Sequence, residues 1–274
     1  MGKILQLKAK LIYNKRVSGR YLHLAVEAPK IANVAKPGQF IEVRVSDGLE
    51  PFLRRPFSVH SIRGGQIEIL YEVFGRGTEV LSQRKPEESL DIIGPLGNGF
   101  DYKPQATGHR LQVLVAGGMG VAPLTFLAER LKKLQAPCLS GRQASSKLQA
   151  LVLIGAKTKK EILCEKEFQN LGCEVKIATD DGSRGFKGYV SNLLIKVLST
   201  VDCRQSTIYA CGPKPMLKEI ARVSKKYNIP AQISLEEHMA CGIGACLGCV
   251  VNTKNGYQRV CKEGPVFDAE KIIW

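Results

Sequence analysis

Apolar and polar residues alternate along this chain with two different periods, and the change of period divides it. Up to about residue 100 the apolar positions recur at every second residue. Examples are Tyr21-Leu22-His23-Leu24-Ala25-Val26, Phe40-Ile41-Glu42-Val43-Arg44-Val45 and Gln66-Ile67-Glu68-Ile69-Leu70-Tyr71. A period of two sends successive side chains to opposite faces of a strand. Turn clusters at Lys36-Pro37-Gly38, Ser46-Asp47-Gly48 and Arg63-Gly64-Gly65 separate the runs, so a small antiparallel β-barrel is predicted. A short helix is predicted to open at Thr78, which caps Glu79-Val80-Leu81-Ser82-Gln83.

From Leu111 the rhythm becomes strand and helix in alternation. Strands are predicted at Leu111 to Ala116, Ala150 to Ile154, Glu174 to Ala178 and Thr207 to Ala210. Helices are predicted at Pro123 to Leu134, Lys159 to Asn170, Val190 to Leu198 and Pro213 to Tyr227. That order argues for a doubly wound α/β domain with a parallel sheet. The Ser-, Gln- and Arg-rich stretch Gln135 to Lys147 reads as a solvated loop. Beyond it all, a Gly- and Cys-dense loop and a hairpin around Val250 to Val260 close the chain. The predicted class is multidomain, β plus α/β: a barrel over 1–101, a nucleotide-type sheet over 102–232 and a small cysteine lobe over 233–274.

Composition changes the picture in two respects. With 40 Lys plus Arg against 25 Asp plus Glu in 274 residues, the net charge is +15. Anionic partners are favoured, but the basic residues are scattered in ones and twos, which argues against a nucleic-acid stripe. A basic zinc-containing nucleic-acid-binding protein is the alternative of a different class. The lysines among Met1-Gly2-Lys3-Ile4-Leu5-Gln6-Leu7-Lys8 interrupt any apolar leader core, and Gln6 breaks the myristoylation pattern. Leu111 to Ala128 is long and uncharged, yet Gly117, Gly118, Gly120 and Pro123 make it strand, turn and helix rather than a membrane span. A soluble, cytoplasmic, reduced protein is expected, in which clustered cysteines mean a metal site.

Nine cysteines are present, and only the last four are bunched. Cys241, Cys246 and Cys249 follow a C-x4-C-x2-C order, with Cys261 further on. That is the order of plant-type 2Fe–2S ferredoxin sites. The small residues Gly242, Gly244, Ala245 and Gly248 allow backbone N–H groups to reach the sulfurs. Zinc on four cysteines stays open as the second reading, although Cys261 stands alone where a zinc site brings a second pair. Cys138, Cys164, Cys173 and Cys203 carry no assigned task.

Two further constellations suit phosphate-bearing ligands. Gly117-Gly118-Met119-Gly120-Val121-Ala122-Pro123 follows a strand and opens a helix, and Cys211-Gly212-Pro213 repeats the arrangement, so the two loops suit one dinucleotide. Cys211 is either a nicotinamide-facing residue or a buried strand-end thiol. In the barrel, Arg55 suits a phosphate, Ser58 a ring acceptor, Tyr71 a flat ring and Gly77-Thr78 backbone donation at a helix start. His23, His60, His109 and His238 are scattered, and each reads as structural. No paired carboxylates or Ser-His-Asp set competes with a redox reading.

Taken in order, Arg55-Pro56-Phe57-Ser58, Gly77-Thr78, Gly94-Pro95-Leu96-Gly97-Asn98-Gly99-Phe100, Gly117 to Pro123 and Cys211-Gly212-Pro213 resemble the ferredoxin-reductase superfamily. With Leu235-Glu236-Glu237-His238-Met239-Ala240-Cys241-Gly242-Ile243-Gly244-Ala245-Cys246 added, the chain resembles the electron-transfer subunits of NAD-dependent (class 1B) dihydroorotate dehydrogenase. The resemblance implies an FAD-binding barrel, an NAD-binding sheet and a C-terminal 2Fe–2S lobe. It implies FAD contacts at Arg55, Pro56, Phe57, Ser58, Leu70, Tyr71, Glu72, Gly77 and Thr78, with Glu72 contributing backbone. It implies NAD contacts at Gly117, Gly118, Gly120, Cys211, Gly212 and Pro213, and cluster ligation by Cys241, Cys246, Cys249 and Cys261. The implied partner is an FMN-containing catalytic subunit that oxidises dihydroorotate in pyrimidine biosynthesis, in a heterotetramer of two of each chain. A related partner, of sulfide dehydrogenase, hydrogenase, glutamate-synthase-like or ferredoxin:NADP reductase type, is the runner-up. Lys157-Thr158-Lys159-Lys160 lacks the acidic residue that binds a ribose 2′-OH, so NAD rests on the resemblance.

Overall fold

The seven strands before residue 100 form one antiparallel sheet that curls on itself, in a computed structural model that describes residues 4–102, 111–135, 150–200 and 206–274. They are β1 (Leu5–Ser18), β2 (Tyr21–Glu27), β3 (Phe40–Arg44), β4 (Arg55–Ser58), β5 (Ser61–Arg63), β6 (Gln66–Glu72) and β7 (Ser89–Leu96). Two helical segments, α1 (Pro29–Ala32) and α2 (Arg76–Ser82), interrupt the meander. The strand order is β4-β3-β7-β1-β2-β6-β5. The sheet curls far enough that Phe57 on β4 meets Tyr71 on β6 edge to face, with ring centroids 5.6 Å apart. The predicted barrel is therefore present, left open between β4 and β6.

Strand β1 is longer than the sequence suggests. It pairs with β7 from Leu5 to Lys10 and with β2 from Lys10 to Ser18, and so ties two stretches of the sheet together. Ala9 and Leu11 point into the core while Lys8 and Lys10 point out, the alternation of a half-buried strand. Helix α2 also begins earlier than predicted. Gly75 is its N-cap and Thr78 stands at the third helical position, its hydroxyl accepting from the Gly75 N–H at 3.1 Å. Thr78 caps from inside the helix, because Gly75 adopts the extended cap conformation that the Thr78 hydroxyl reaches back to.

The α/β part contains β8 (Gln112–Gly117), β9 (Ala150–Ala156), β10 (Glu174–Thr179), β11 (Phe186–Lys187), β12 (Thr207–Cys211) and β13 (Ala231–Ser234). Between them run α3 (Val121–Gln135), α4 (Glu165–Asn170), α5 (Val190–Thr200) and α6 (Lys214–Tyr227). The hairpin β14 (Val250–Thr253) and β15 (Gly256–Arg259) follows, and then β16 (Val266–Asp268). The sheet order is β11-β10-β9-β8-β12-β13-β16, with every pair from β11 to β13 parallel. Val113, Leu114, Val115 and Ala116 have no exposed surface, as expected of a strand covered on both faces.

The helix predicted over Lys159 to Asn170 is broken. A single 3-10 turn covers Lys159–Glu161, the chain extends at Ile162, and Cys164 at φ 59° precedes α4. A left-handed residue cannot continue a right-handed helix. Gln135 ends α3, and 136–147 of the predicted loop lie outside the described residues, as do Cys138, Cys203 and His109.

The chain divides into two compact units, one up to Gly99 together with Leu235–Val266, the other Phe100–Ser234 with Phe267–Ile272. The cysteine stretch belongs to the barrel unit. Asn98 at the end of the barrel makes a parallel bridge to Pro265, and its side-chain amide donates to the carbonyls of Lys262 and Glu263 at 3.2 and 3.0 Å.

Candidate functional site

In the barrel unit the candidate flavin residues converge on the open seam. Strand β4 is an edge strand, where Pro56 costs no ladder hydrogen bond. Strand β5 pairs only with Gln66–Glu68, so along Leu70–Glu72 one edge of β6 carries no strand pairing. Backbone groups of Leu70, Tyr71 and Glu72 are thus presented beside β4. The tandem arginines separate in role. Arg54 is held by Asp91, donating to its carbonyl and to its carboxylate, each at 2.8 Å. Arg55 instead folds over α2, where a Cβ on Gly77 would stand 2.8 Å from its Cζ and 2.9 Å from Nη2. A side chain at 77 would displace that guanidinium from the first turn of α2.

Tyr71 differs from a surface platform. Its ring is buried, its hydroxyl donates to Asn14 Oδ1 at 2.9 Å, and burial pushes its pKa up to about 12. Glu72 forms an ion pair with Arg20 on its side-chain oxygen, which leaves its backbone as the group for a ligand.

The cysteine loop is built for sulfur that carries negative charge. The N–H groups of Ala245 and Cys246 donate to Cys241 Sγ at 3.3 and 3.4 Å, Gly248 N–H donates to Cys246 Sγ at 3.5 Å, and Cys261 N–H donates to Cys249 Sγ at 3.4 Å. Gly242, Gly244 and Leu247 take positive φ of 67°, 86° and 57°, which winds the loop so that these donors turn inward. Burial opposes ionisation of Cys241, but donation from the backbone N–H groups of Cys246, Ile243 and Ala245 outweighs it and brings the thiol down to about 6. Burial and the adjoining Cys249 thiol push Cys261 up to about 12. The donor set, four thiols with backbone N–H groups directed at them, fits an iron–sulfur cluster.

One residue here has no signal in the sequence beyond its strand position. Glu42 on β3 has no exposed surface, and neither carboxyl oxygen has a hydrogen-bond partner. It lies against Gly242, directly after Cys241.

In the α/β unit the two glycine loops lie side by side, because β8 and β12 are neighbours at the point where strand order reverses. A Cβ on Gly120 would collide with the carbonyl of Cys211 and stand 2.9 Å from Gly212 N. A Cβ on Gly117 would stand 3.0 Å from Pro213 Cδ. The two loops that carry the six candidate NAD residues are thus packed against each other at the starts of α3 and α6, with Gly117, Gly120 and Cys211 buried in the contact. The lysines after β9 have acidic neighbours that sequence reading missed. Asp180 and Asp181 follow β10, and their N–H groups donate to the carbonyls of Ala156 and Lys157 at 3.1 and 3.2 Å. Neighbouring strands, not neighbouring residues, bring them there.

His23 and His60, apart in the sequence, meet in the fold. His23 contacts Tyr13 and Glu68, at 3.5 and 3.6 Å, and stacks edge to face on His60 at 5.2 Å.

A curled antiparallel sheet, a parallel nucleotide-type sheet and a four-cysteine loop define a ferredoxin-reductase-type oxidoreductase with an iron–sulfur centre. The model of the iron–sulfur cluster binding domain of dihydroorotate dehydrogenase B matches residues 236–273, and that of the oxidoreductase NAD-binding domain matches 114–222. The chain belongs to the family of electron-transfer subunits of dihydroorotate dehydrogenase B (NAD(+)). The subunit from Desulforamulus reducens is 40% identical, with 100% of both chains covered. That from Caldanaerobacter subterraneus is 38% identical, covering 98% of this chain and 99% of its own. Among solved structures, the NADH-dependent reduced ferredoxin-NADP oxidoreductase aligns with TM-score 0.81 and 25% identity over 100% of this chain and 92% of its own. A ferredoxin NADP+ reductase from Neisseria gonorrhoeae, with bound FAD and NADP, shares the fold at TM-score 0.64 and 15% identity, over 81% and 91%. No helix among the described residues is long and apolar enough to cross a membrane.

Proposed function

We propose that this chain is the electron-transfer subunit of an NAD-dependent dihydroorotate dehydrogenase, working in pyrimidine biosynthesis in the cytoplasm. Its partner is an FMN-containing catalytic subunit, in a heterotetramer of two of each, without nucleic acid or membrane. When bound, the 2Fe–2S cluster and FAD supply the conversion between single electrons from the partner and the hydride that NAD+ accepts.

The observation that carries this reading is the loop Cys241–Cys249, wound so that backbone N–H groups meet its sulfurs within the barrel unit. Cys241, Cys246, Cys249 and Cys261 hold the cluster, and their N–H donors stabilise the charge it gains on reduction. Arg55, Gly77 and Thr78 hold the diphosphate of FAD, while Pro56, Phe57, Ser58, Leu70, Tyr71 and Glu72 line the seam for its ring. Gly117, Gly118, Gly120, Cys211, Gly212 and Pro213 hold NAD. Asp180 and Asp181, next to the lysines after β9, support NAD over NADP by opposing a 2′-phosphate. In functional terms the stretches are 1–101 for FAD, 102–232 for NAD and 233–274 for the cluster.

The test is to purify the chain alone and with an FMN-type dihydroorotate dehydrogenase subunit, and to follow dihydroorotate-dependent NAD+ reduction. Activity is expected only from the mixture. A chain replete in flavin and iron that never couples to dihydroorotate would sink the reading in favour of another partner.

A further inference from the structure

Phe74 is 85% exposed, and among the described residues no large apolar side chain is more so. Its backbone is nonetheless fixed. The N–H of Phe74 donates to Thr78 Oγ1 at 2.9 Å, the Gly75 N–H donates to the same oxygen at 3.1 Å, and the Thr78 hydroxyl donates back to the Gly75 carbonyl at 3.0 Å. On the other side, the Val73 N–H donates to the Arg20 carbonyl at 2.8 Å. A phenyl ring kept in water by a clamped backbone forgoes the stabilisation that burial would bring. An aromatic face with that placement suits a flat partner that arrives with a ligand.

The ring stands between the two stretches assigned to flavin, two residues after Glu72 and three before Gly77. Gly75 leaves the space beside it clear, since a Cβ there would meet nothing within 4 Å. In FAD the order of groups is isoalloxazine, ribityl, diphosphate, ribose, adenine. With the isoalloxazine on the β4–β6 seam and the diphosphate at Arg55 and Gly77-Thr78, adenine is the flat group on the far side of the diphosphate, and Phe74, tied to Thr78 by its N–H, is the exposed ring at that start of α2. We infer that Phe74 stacks on the adenine ring of FAD, and so selects FAD over FMN. The inference rests on the diphosphate placement proposed above.

The test uses the full chain with its cluster, stripped of flavin and titrated with FAD and with FMN, which lacks the adenosine half. Binding is read from the quenching of flavin fluorescence. Phe74→Ala is expected to weaken FAD about 10-fold, in the range of base–aromatic stacking, and to leave FMN affinity unchanged. Phe74→Tyr is expected to keep the parent's affinity for both. Phe74→Ala binding FAD as tightly as the parent overturns the inference, whether or not association with the catalytic subunit weakens. Equal losses for FAD and FMN overturn it too, because they mean that the loop itself was disturbed. Arg55→Ala separates the two layers. If it leaves FAD affinity intact, the flavin site is misplaced and the inference falls with it; if it weakens FAD while Phe74→Ala does not, only the adenine contact is wrong.

Discussion

The carboxyl group of Glu42 occupies the space that a side chain on Gly242 would need, 2.5 Å from such a Cβ at its Cγ and 2.6 Å at Oε1. Gly242 also stands at φ 67°, where a side chain strains the backbone. Both constraints act on the residue next to Cys241. Gly242→Ala is therefore expected to lose most of its iron and acid-labile sulfide, while the flavin bands of the visible spectrum persist. Iron content equal to the parent's would contradict this.

Glu42 itself makes stability depend on pH. Burial, opposed by Arg54 and reinforced by Cys241, pushes its carboxyl from 4.5 up to about 8. Between those values the folded chain keeps a proton that the unfolded chain has released, so stability falls as pH rises through the window. Glu42→Gln removes that loss. Its melting temperature is expected to match the parent's at the acidic end of the window and to exceed it at the alkaline end, by the equivalent of about 1–4 kcal/mol. Parallel melting profiles for the two proteins would count against a buried proton on Glu42.

Gly120 and Gly118 belong to one loop but predict different outcomes. Gly120→Ala drives a methyl group into the Cys211 carbonyl, backbone against backbone, with no side chain that can swing away. NADH affinity is expected to fall by at least about 10-fold. Gly118 has φ 52° and open space around it, so Gly118→Ala carries only the backbone penalty, about 1–2 kcal/mol. Titrating both variants with NADH, at unchanged flavin and iron content, checks the ranking.

Thiols inside and outside the loop are expected to separate cleanly. Cys246→Ser and Cys261→Ser remove thiolates from the cluster set and should yield protein with little iron. Cys173 is buried just before β10, with burial pushing its pKa up to about 12, the state of an inert core thiol. Cys173→Ala should keep iron and flavin and lose stability only slightly. Iron and sulfide analysis of the three variants, with melting temperatures, decides it.

By itself the sequence determined what depends on local spacing. The x4 and x2 intervals among Cys241, Cys246 and Cys249, the glycines between them and the strand-turn-helix at Gly117 are short-range patterns, and short-range geometry follows from them. The two periods likewise separated a curled antiparallel sheet from a parallel one. What only the tertiary structure decided is which distant residues meet. Nothing local to Phe40-Ile41-Glu42 says that a carboxyl will be sealed without a partner beneath Gly242; that follows from the barrel and the cysteine loop forming one unit. Nothing in Lys157-Thr158-Lys159-Lys160 shows that Asp180 and Asp181 stand beside it, because the pairing of β9 with β10 sets that distance. The break at Cys164 and the reach of β1 to β7 have the same origin. Helix and strand periods are carried by neighbouring residues, whereas register, burial and the departure of one residue from its local preference are settled by contacts far apart in the chain.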